Sequence, residues 1–288
     1  MAVAACLVRC GGGSSNDAHA GNAAIDGGAD GGTIADAATD SLPAPDSGDD
    51  SAAEGGDAGA PFVDISALSG LVLWLDAGHG VAADATSHQV SLWTDRSSDH
   101  NDMAPLSAQG GPPLLSPNGF RNNHPSVNFG PLSAALAAPP SSSTELGTEF
   151  LIVLAASVPS VNGMRLVAKG TTAGFSFAVS SSGVLTFSGG SVSTPLITGQ
   201  RGVTQLRHIL AARRFGSTAS ATLELRVDGA VDATATGAAV DLSATAQDSL
   251  SLPMTDGCSV AEVVMINGTT SQGDVAKLES FLRAKYGL

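Results

Sequence analysis

Carboxylate pairs on one strand are the first residues in this sequence that could perform chemistry. Retaining glycoside hydrolases need two carboxyl groups about 5–5.5 Å apart, and alternate positions of a strand place side chains on one face. No predicted strand carries paired carboxylates at alternate positions, and the nearest pair is Glu224 with Asp228, which share a face by parity. We interpret Glu224 as a solvated strand charge, Asp228 as a turn former and Glu262 as structural. We therefore expect no catalytic residues and no enzyme activity.

An oxygen-rich loop is the candidate site for a ligand or a cation. Asp95, Asp99, Asn101 and Asp102 lie close together in the sequence and could hold Ca²⁺ through oxygen ligands. The same side chains can instead bond their own backbone and build turns. The six histidines form no His-x-x-x-His pattern, and no Cys-x-x-Cys occurs. The metal thus stays unknown: we expect no cofactor, with Ca²⁺ as an open alternative.

Three ring side chains lie within predicted strands. Trp74 and Trp93 belong to apolar runs, so we expect them to pack in the core and not to form a sugar platform, which needs exposed rings. His208 lies in a strand, where we expect a hydrogen-bonded structural role.

The cysteines bear on localisation. Cys258 stands alone in the apolar part of the chain, and we expect a free, partly buried thiol. Val3-Ala4-Ala5-Cys6 has the lipobox form of a bacterial lipoprotein, which makes Cys6 the expected lipid-attachment residue. Cys10, followed by Gly-Gly-Gly, is the alternative, although Arg9 departs from the pattern. Too few residues precede Cys6 for the apolar region of about 7–15 residues in a signal peptide, so either the start lies upstream or the chain is not a lipoprotein.

Composition divides the 288 residues into three segments. Residues 1–10 are interpreted as the remnant of a lipoprotein signal or anchor. Residues 11–60 hold nine Asp and one Glu, no Lys or Arg, and little else but Gly, Ala, Ser, Thr and Pro. Such low hydrophobicity cannot offset chain entropy, so we expect a disordered acidic linker. Residues 61–288 are predicted to form one folded β domain.

The charge balance excludes some classes of protein. The formal net charge is −14, and residues 61–288 still carry 17 acidic against 12 basic residues. A nucleic-acid binder with a broad basic face is therefore excluded. No run of eighteen apolar residues is present, so we expect membrane contact by a lipid anchor only.

Apolar runs and alternating patterns predict the strands that must position these residues. Residues 150–156 are continuously apolar, which predicts a strand covered on both faces. Alternation across 175–187, around Ser181-Ser182-Gly183, predicts a hairpin. Asp228-Gly229 follows another alternating run and has the composition of a type I′ turn. Many short strands of this kind indicate an all-β sandwich or barrel.

One helix is predicted near the end of the sequence. Ser271 can cap its start, and Gly287 occupies the position of a left-handed C-cap. We expect Glu279 and Arg283 to form an i,i+4 pair on the outer side and the helix to pack across the end or edge of the sandwich. The predicted apolar face consists of Val275, Leu278, Phe281 and Leu282.

Four stretches carry a resemblance to a known family: LVLWLDA (71–77) with VSLWTDRSSDHND (90–102), HPSVNFG (124–130), RHILAARRF (207–215) with LELRVDGAV (223–231), and AEVVMING (261–268) with the terminal FLRAKYGL. In this order they resemble the laminin G-like branch of the concanavalin A-like lectin/glucanase superfamily, over most of 68–288. The resemblance implies a jelly-roll sandwich of two antiparallel sheets with one C-terminal helix. Its members commonly bind glycans or proteins at cell surfaces, and some relatives are glycosidases.

Two classes of function follow from these observations. The first is a monomeric, non-catalytic binding module for a carbohydrate or an envelope protein, at the bacterial cell envelope or surface, lipid-anchored or secreted. The second is a structural or scaffold domain of the envelope without a small ligand; a glycoside hydrolase is a more distant alternative. Exposed aromatic or amide side chains on the concave sheet or a rim would favour the first class, and a featureless polar face the second.

Overall fold

A computed structural model describes residues 63–106, 110–130, 135–159, 163–170, 174–190, 195–217, 219–237, 242, 248–253 and 257–288. The predicted anchor remnant, the predicted linker, Cys6 and Cys10 lie outside these residues.

Seventeen strands and one α-helix lie in the described portion of the chain. In chain order they are β1 Leu71–Asp76, β2 Val81–Ala83, β3 Val90–Trp93, β4 Ala104–Pro105, β5 Leu114–Ser116, β6 Ser126–Phe129, β7 Leu136–Ala137, β8 Phe150–Ser157, β9 Met164–Lys169, β10 Phe175–Val179, β11 Val184–Gly189, β12 Pro195–Gly202, β13 Arg207–Phe215, β14 Ala221–Val227, β15 Ala230–Gly237, β16 Leu250–Ser251, β17 Cys258–Asn267 and α1 Gln272–Tyr286. Single 3₁₀ turns occur at Ile65–Ala67, Arg121–Asn123 and Ser142–Thr144.

The strands form two large antiparallel sheets and one small one. The eight-stranded sheet has the order β15-β14-β13-β8-β17-β6-β5, with β1 also paired to β17; the seven-stranded sheet has the order β12-β11-β10-β9-β16-β7-β4. Strands β2 and β3 form a separate ribbon. This confirms the predicted fold class, an all-β jelly-roll sandwich with one C-terminal helix. No helix in the described residues has the length and apolar character needed to cross a membrane.

Strand β8 shows how the core is divided. Its inward side chains, such as Phe150 and Ile152, join the core between the two sheets. Its outward side chains, such as Leu151 and Val153, join a second core under α1. Both faces are therefore covered, as the unbroken apolar run predicts.

The predicted turns and hairpins are also confirmed. Strands β10 and β11 pair in register from Phe175 with Gly189 to Val179 with Leu185. Asp228 and Gly229 have φ values of 51° and 82°, the two positive angles that a type I′ turn requires.

Helix α1 begins and ends as predicted but packs in a different place. Ser271 accepts a hydrogen bond from the Asp274 amide, and Gly287 is left-handed, with φ 65° and ψ 42°. The helix lies on the outer face of the eight-stranded sheet, so the predicted packing at the end or edge is wrong. The predicted Glu279–Arg283 pair is also wrong, because Glu279 is buried and bonds Arg226 of β14. Local spacing alone cannot show that a sheet face lies beneath a helix.

Candidate functional site

The candidate site begins at an irregularity in β17. Val260 and Val263 both face the core between the sheets, which strict alternation does not allow. A β-bulge between Val260 and Glu262 shifts the register against β8 and turns Glu262 outward, opposite Asp76 of β1. Bulges commonly re-aim a side chain in this way. Two carboxylates thus lie side by side on the outer face, Asp76 3% exposed and Glu262 fully buried.

Lys285 of α1 neutralises this carboxylate pair. Its Nζ donates to Asp76 Oδ2 at 3.0 Å and to Glu262 Oε2 at 2.7 Å. Glu262 also accepts hydrogen bonds of 2.8 Å from the Tyr286 hydroxyl and from Trp74 Nε1. Adjacent buried carboxylates repel unless a cation and hydrogen bonds compensate them, so the pair depends on the docked end of α1.

Asp76, the last residue of β1, has further hydrogen-bond partners besides Lys285. Its Oδ1 accepts from the Gly78 amide at 2.8 Å, and its Oδ2 lies 3.0 Å from His79 Nδ1 and 3.4 Å from Arg96 Nη1. Burial alone would raise the pKa of Asp76, but the positive charge of Lys285 and these hydrogen bonds hold the pKa below its ordinary value. Asp76 is therefore an ionised hydrogen-bond acceptor at neutral pH.

Tyr286 supports the cluster formed by Asp76, Glu262 and Lys285 through its hydroxyl, which donates to Glu262. Its ring is buried and meets the rings of Phe120 and His124 edge-on, each with centroids 5.0 Å away. Burial and the negative charges of Glu262 and Asp76 raise the pKa of Tyr286, so the phenol stays protonated and acts as a donor.

Above the cluster lies an open cleft of about 460 Å³, which we call the Trp74 cleft. The Arg96 guanidinium lies 3.9 Å from the centroid of the half-buried Trp74 ring, a cation–π contact. Phe281 adds a second half-buried ring. The lining residues are Val63, Asp64, Ile65, Ser66, Trp74, Asp76, His79, Arg96, Glu262, Phe281 and Lys285.

This lining combines ring surfaces with donors and acceptors of both charges. Arg96 and Lys285 supply N–H donors, while Asp76 supplies an ionised acceptor beside them. Small-ligand sites typically have apolar walls with a few placed polar groups, in clefts of about 300–1,000 Å³. A neutral polyhydroxylated ligand fits such a lining, because its hydroxyls both donate and accept and its C–H faces suit an aromatic ring.

The oxygen-rich loop at residues 95–102, predicted from the sequence, positions two residues that line this cleft, Trp74 and Arg96. Asp95 accepts hydrogen bonds at Oδ1 from the Trp74 amide (2.8 Å) and the Ser97 amide (2.9 Å), and at Oδ2 from Ser97 Oγ (2.7 Å) and the Asn101 amide (2.8 Å). Asp102 accepts from the Asp95 amide at 2.8 Å. The loop thereby fixes the position from which Arg96 reaches over Trp74.

The other loop candidates have separate surroundings. Asn101 is buried and donates from Nδ2 to the Val72 carbonyl at 2.8 Å and to Ser143 Oγ at 3.0 Å. Asp99 is exposed, and its amide donates to Ser97 Oγ. Within the described residues, no group of three or more His, Cys, Asp or Glu is arranged to hold a metal ion.

Glu224 and Asp228 each have their own partner. Glu224 accepts from Arg226 at 2.7 Å, and Arg226 also bonds Glu279 at 2.9–3.1 Å. Burial would lower the pKa of Arg226, but its bonds to Glu279 and Glu224 raise the pKa above its ordinary value. Asp228 lies 2.7 Å from His208 Nδ1 and accepts from the Ile209 amide at 2.9 Å. These contacts join β13, β14 and α1, consistent with the turn predicted at Asp228 and the structural role predicted for His208. The prediction that Glu224 is a solvated strand charge is wrong, because Glu224 is buried and paired with Arg226.

The two tryptophans differ in their surroundings. Trp93 is fully buried in the core between the sheets, as predicted. Trp74 is half-buried: it packs against the core under α1, as predicted, and it also lines the cleft, which the sequence does not predict. By contrast, the outer face of the seven-stranded sheet carries a shallow depression of about 280 Å³ with small hydroxyl side chains: Ser176, Ser180, Thr186 and Ser188.

Comparison with known proteins identifies the fold and no more. No protein-family model and no curated protein matches the sequence. A mutant Trypanosoma rangeli sialidase with trans-sialidase activity is similar in structure, with 13% identity, a TM-score of 0.51, and coverage of 75% of this chain and 33% of that one. This chain thus spans about a third of the sialidase.

Two toxin structures are similar over a comparable portion of this chain. The binding domain of Paraclostridial Mosquitocidal Protein 1 has 11% identity and a TM-score of 0.53, with 73% of this chain and 52% of that one covered. Botulinum neurotoxin type C, whose cell entry depends on interaction with two ganglioside molecules, has 9% identity and a TM-score of 0.51, with 74% and 51% covered. Identities this low establish a shared β-sandwich fold alone. The chain therefore shares the β-sandwich fold of these proteins.

Proposed function

We propose that the chain is a non-catalytic binding module of the laminin G-like, concanavalin A-like type, and that it binds a neutral carbohydrate in the Trp74 cleft. The observation that carries this proposal is the half-buried indole of Trp74 beside the N–H donors of Arg96 and Lys285, both of which bond the carboxylate of Asp76. The structural likeness to a toxin that interacts with gangliosides supports a saccharide as the ligand class.

The state of the carboxylates supports binding over hydrolysis. A glycosidase needs a protonated acid at neutral pH, whose pKa is raised by its surroundings. The pKa of Asp76 is instead held below its ordinary value, and Glu262 is fully buried under three donors. The cleft is therefore suited to hold a sugar without cleaving it.

The test is a glycan array with the full chain, followed by calorimetric titration of any neutral oligosaccharide that binds. Trp74→Ala should abolish binding, because the sugar loses its ring contact. Arg96→Gln should weaken binding about tenfold or more, because hydrogen bonds to charged donors contribute about 1.5–3 kcal/mol. Arg165→Gln, on the seven-stranded sheet, is the matched control and should leave binding unchanged.

Folding must be checked in the same experiment, because Trp74 also bonds Glu262. The comparison is valid for variants whose far-ultraviolet circular dichroism and melting midpoint match those of the natural chain. The proposal fails if no neutral saccharide binds, or if a folded Arg96→Gln and a folded Trp74→Ala both bind as well as the natural chain.

The scaffold function is the second candidate, favoured by the small hydroxyl side chains on the seven-stranded sheet. Display at the bacterial envelope is proposed on the lipobox-like Val3–Cys6 alone. Metabolic labelling with palmitate in a bacterial host, compared between Cys6→Ser and Cys10→Ser, would distinguish the two attachment residues.

A further inference from the structure

A second cleft of about 460 Å³ opens where the chain entering β13 meets the β14–β15 turn. Two arginines from distant regions of the sequence, Arg121 and Arg207, line it together. The remaining lining residues are Ser157, Gln205, Leu206, His208, Asp228 and Leu288. We call it the Arg121–Arg207 cleft.

Neither guanidinium group has a carboxylate partner in the part of the chain that the structure describes. No acidic group of the described residues lies within ion-pair distance of Arg121 or Arg207. Arg121 Nη1 donates to the Gly287 carbonyl at 2.8 Å, and Arg207 Nη2 is 3.5 Å from the Gly119 carbonyl. Both side chains are exposed, so most of their N–H donors face solvent. Two such arginines thus line one cleft in a chain of net charge −14.

The one acidic side chain in the cleft lining is already engaged. Asp228 binds His208 Nδ1 at 2.7 Å and the Ile209 amide at 2.9 Å. Burial would raise the pKa of Asp228, but these hydrogen bonds keep the pKa below its ordinary value. Asp228 therefore bonds the imidazole of His208 and the backbone amide of Ile209, and it does not pair with Arg121 or Arg207.

Arg207 is positioned by its strand and by the ring of Phe120. Arg207 has the same strand parity as Ile209, whose side chain joins the core under α1. Its guanidinium lies 5.7 Å from the ring centroid of Phe120, which itself packs against the buried ring of Tyr286. A guanidinium held in this way loses less freedom on binding than one on a free side chain.

The backbone beside Arg207 is strained and presents an apolar side chain. Gln205 has a φ of 68°, which is uncommon outside glycine, and its amide donates to the Val158 carbonyl at 2.7 Å. Leu206, next in sequence, is 64% exposed at the cleft. Strained backbone of this kind tends to occur at binding sites, and an exposed leucine offers a contact for C–H surface.

We propose that the Arg121–Arg207 cleft binds the carboxylate or sulfate group of an acidic saccharide. The planar guanidinium fork bonds such oxyanions with two parallel N–H donors, and Leu206 contacts the sugar ring. The site is separate from the Trp74 cleft, and binding there does not require a neutral sugar to bind at Trp74.

The experiment titrates the full chain with two acidic hexasaccharides, oligogalacturonate and sulfated dextran, each against its neutral backbone sugar, and with inorganic sulfate. At least one acidic hexasaccharide should bind, and its affinity should fall with added salt, because salt screens exposed charges. Arg121→Gln and Arg207→Gln should each weaken binding about tenfold or more. Arg165→Gln, with the same loss of charge on the other sheet, should retain it.

The outcomes separate the two sites. Loss of acidic-sugar binding in the arginine variants alone, with unchanged melting midpoints, supports the proposal even if no neutral sugar binds. The proposal is overturned if neither acidic hexasaccharide binds, if the neutral backbones bind equally well, or if Arg207→Gln and Arg121→Gln bind as the natural chain does. Equal affinity for inorganic sulfate and for the sulfated hexasaccharide would overturn the assignment to a saccharide.

Discussion

Tyr286 and Glu262, 24 residues apart, are joined by a hydrogen bond of 2.8 Å from the phenol to the carboxylate. This bond fixes the last turn of α1 against β17, and Lys285 reinforces it from the adjacent position. The ring of Tyr286 also meets Phe120, which lies under Arg207. One side chain thus supports the Trp74 cleft with its hydroxyl and the Arg121–Arg207 cleft with its ring.

Leu282→Ala should lower the free energy of unfolding by about 2–5 kcal/mol, because Leu282 is fully buried under α1 and its loss leaves a cavity. Arg283→Ala, on the exposed side, should change it by less than about 0.5 kcal/mol. Deletion of residues 271–288 should destabilise more than either, since it also removes Glu279, which bonds Arg226, and Lys285 and Tyr286, which bond Glu262. Denaturant melts compare the three variants, and an unchanged midpoint for the deletion would contradict the role given to α1.

Glu279→Ala should cost about 3 kcal/mol, because it leaves the buried Arg226 with Glu224 as its remaining carboxylate partner. Lys277→Ala on the same helix is the control. Its side chain is 64% exposed and lies 3.9 Å from Asp274, so the change should stay below about 0.5 kcal/mol. Urea melts measure both, and similar costs for the two variants would show that the Arg226–Glu279 pair is not structural.

Much of the fold could be predicted from the sequence, because the signals for these strands, turns and caps each lie within a few neighbouring residues. Residues 150–156, the Asp228-Gly229 turn and the Ser271 and Gly287 caps each carry their whole signal in a few residues. The Trp74 cleft does not. Its bond from Trp74 to Glu262 spans 188 residues, and the side that Glu262 faces depends on a bulge that alternation cannot reveal. The available signal was Glu262 itself, a single charge in an otherwise apolar strand. It indicates a buried partner, but it does not show that the partners are Lys285 and Tyr286.

The pH dependence of stability should carry the signature of Asp76. Its pKa is lower in the folded chain than the ordinary value of 3.8, so its stabilising contribution is complete above that value and is lost as the pH falls below it. Asp76→Asn should be less stable at neutral pH and should lose less stability on acidification. Three other carboxyl groups also have lowered pKa values: Asp84, Glu149 and Asp228. Their protonation will lower the stability of the natural chain and of Asp76→Asn alike as the pH falls. Parallel curves for the two proteins in acid melts would disprove the assignment.

Chelation of calcium should leave the melting midpoint unchanged. Both carboxylate oxygens of Asp95 already accept N–H and O–H donors, and a cation would have to displace them. Thermal melts with excess EDTA and with added Ca²⁺ provide the measurement. A midpoint that falls in EDTA and recovers with Ca²⁺ would assign a cation to Asp95, Asp99, Asn101 and Asp102.

A panel of polysaccharides should yield no reducing sugar on incubation with the chain. Asp76 is held ionised by Lys285, and Glu224 is bound to Arg226, so neither is suited to protonate a leaving group. Release of sugar that is lost on Glu224→Gln, or on Asp76→Asn, would overturn the non-catalytic interpretation.

The pairing of β1 with β17 determines how the domain would respond to a pulling force. Leu71 lies opposite Ile266 and Asp76 opposite Glu262, so the chain enters β1 and leaves β17 at the same end of the pair. A load applied ahead of β1 and from the C-terminal side of α1 would first meet the contacts of the last turn of α1: Arg121 with the Gly287 carbonyl, Tyr286 with Glu262, and Lys285 with Asp76 and Glu262. Once they broke, the backbone hydrogen bonds would break in succession from Leu71 onward. The mechanical resistance of this edge would therefore reside first in the contacts that hold α1 on the sheet, and only afterwards in the strand pair, one hydrogen bond at a time.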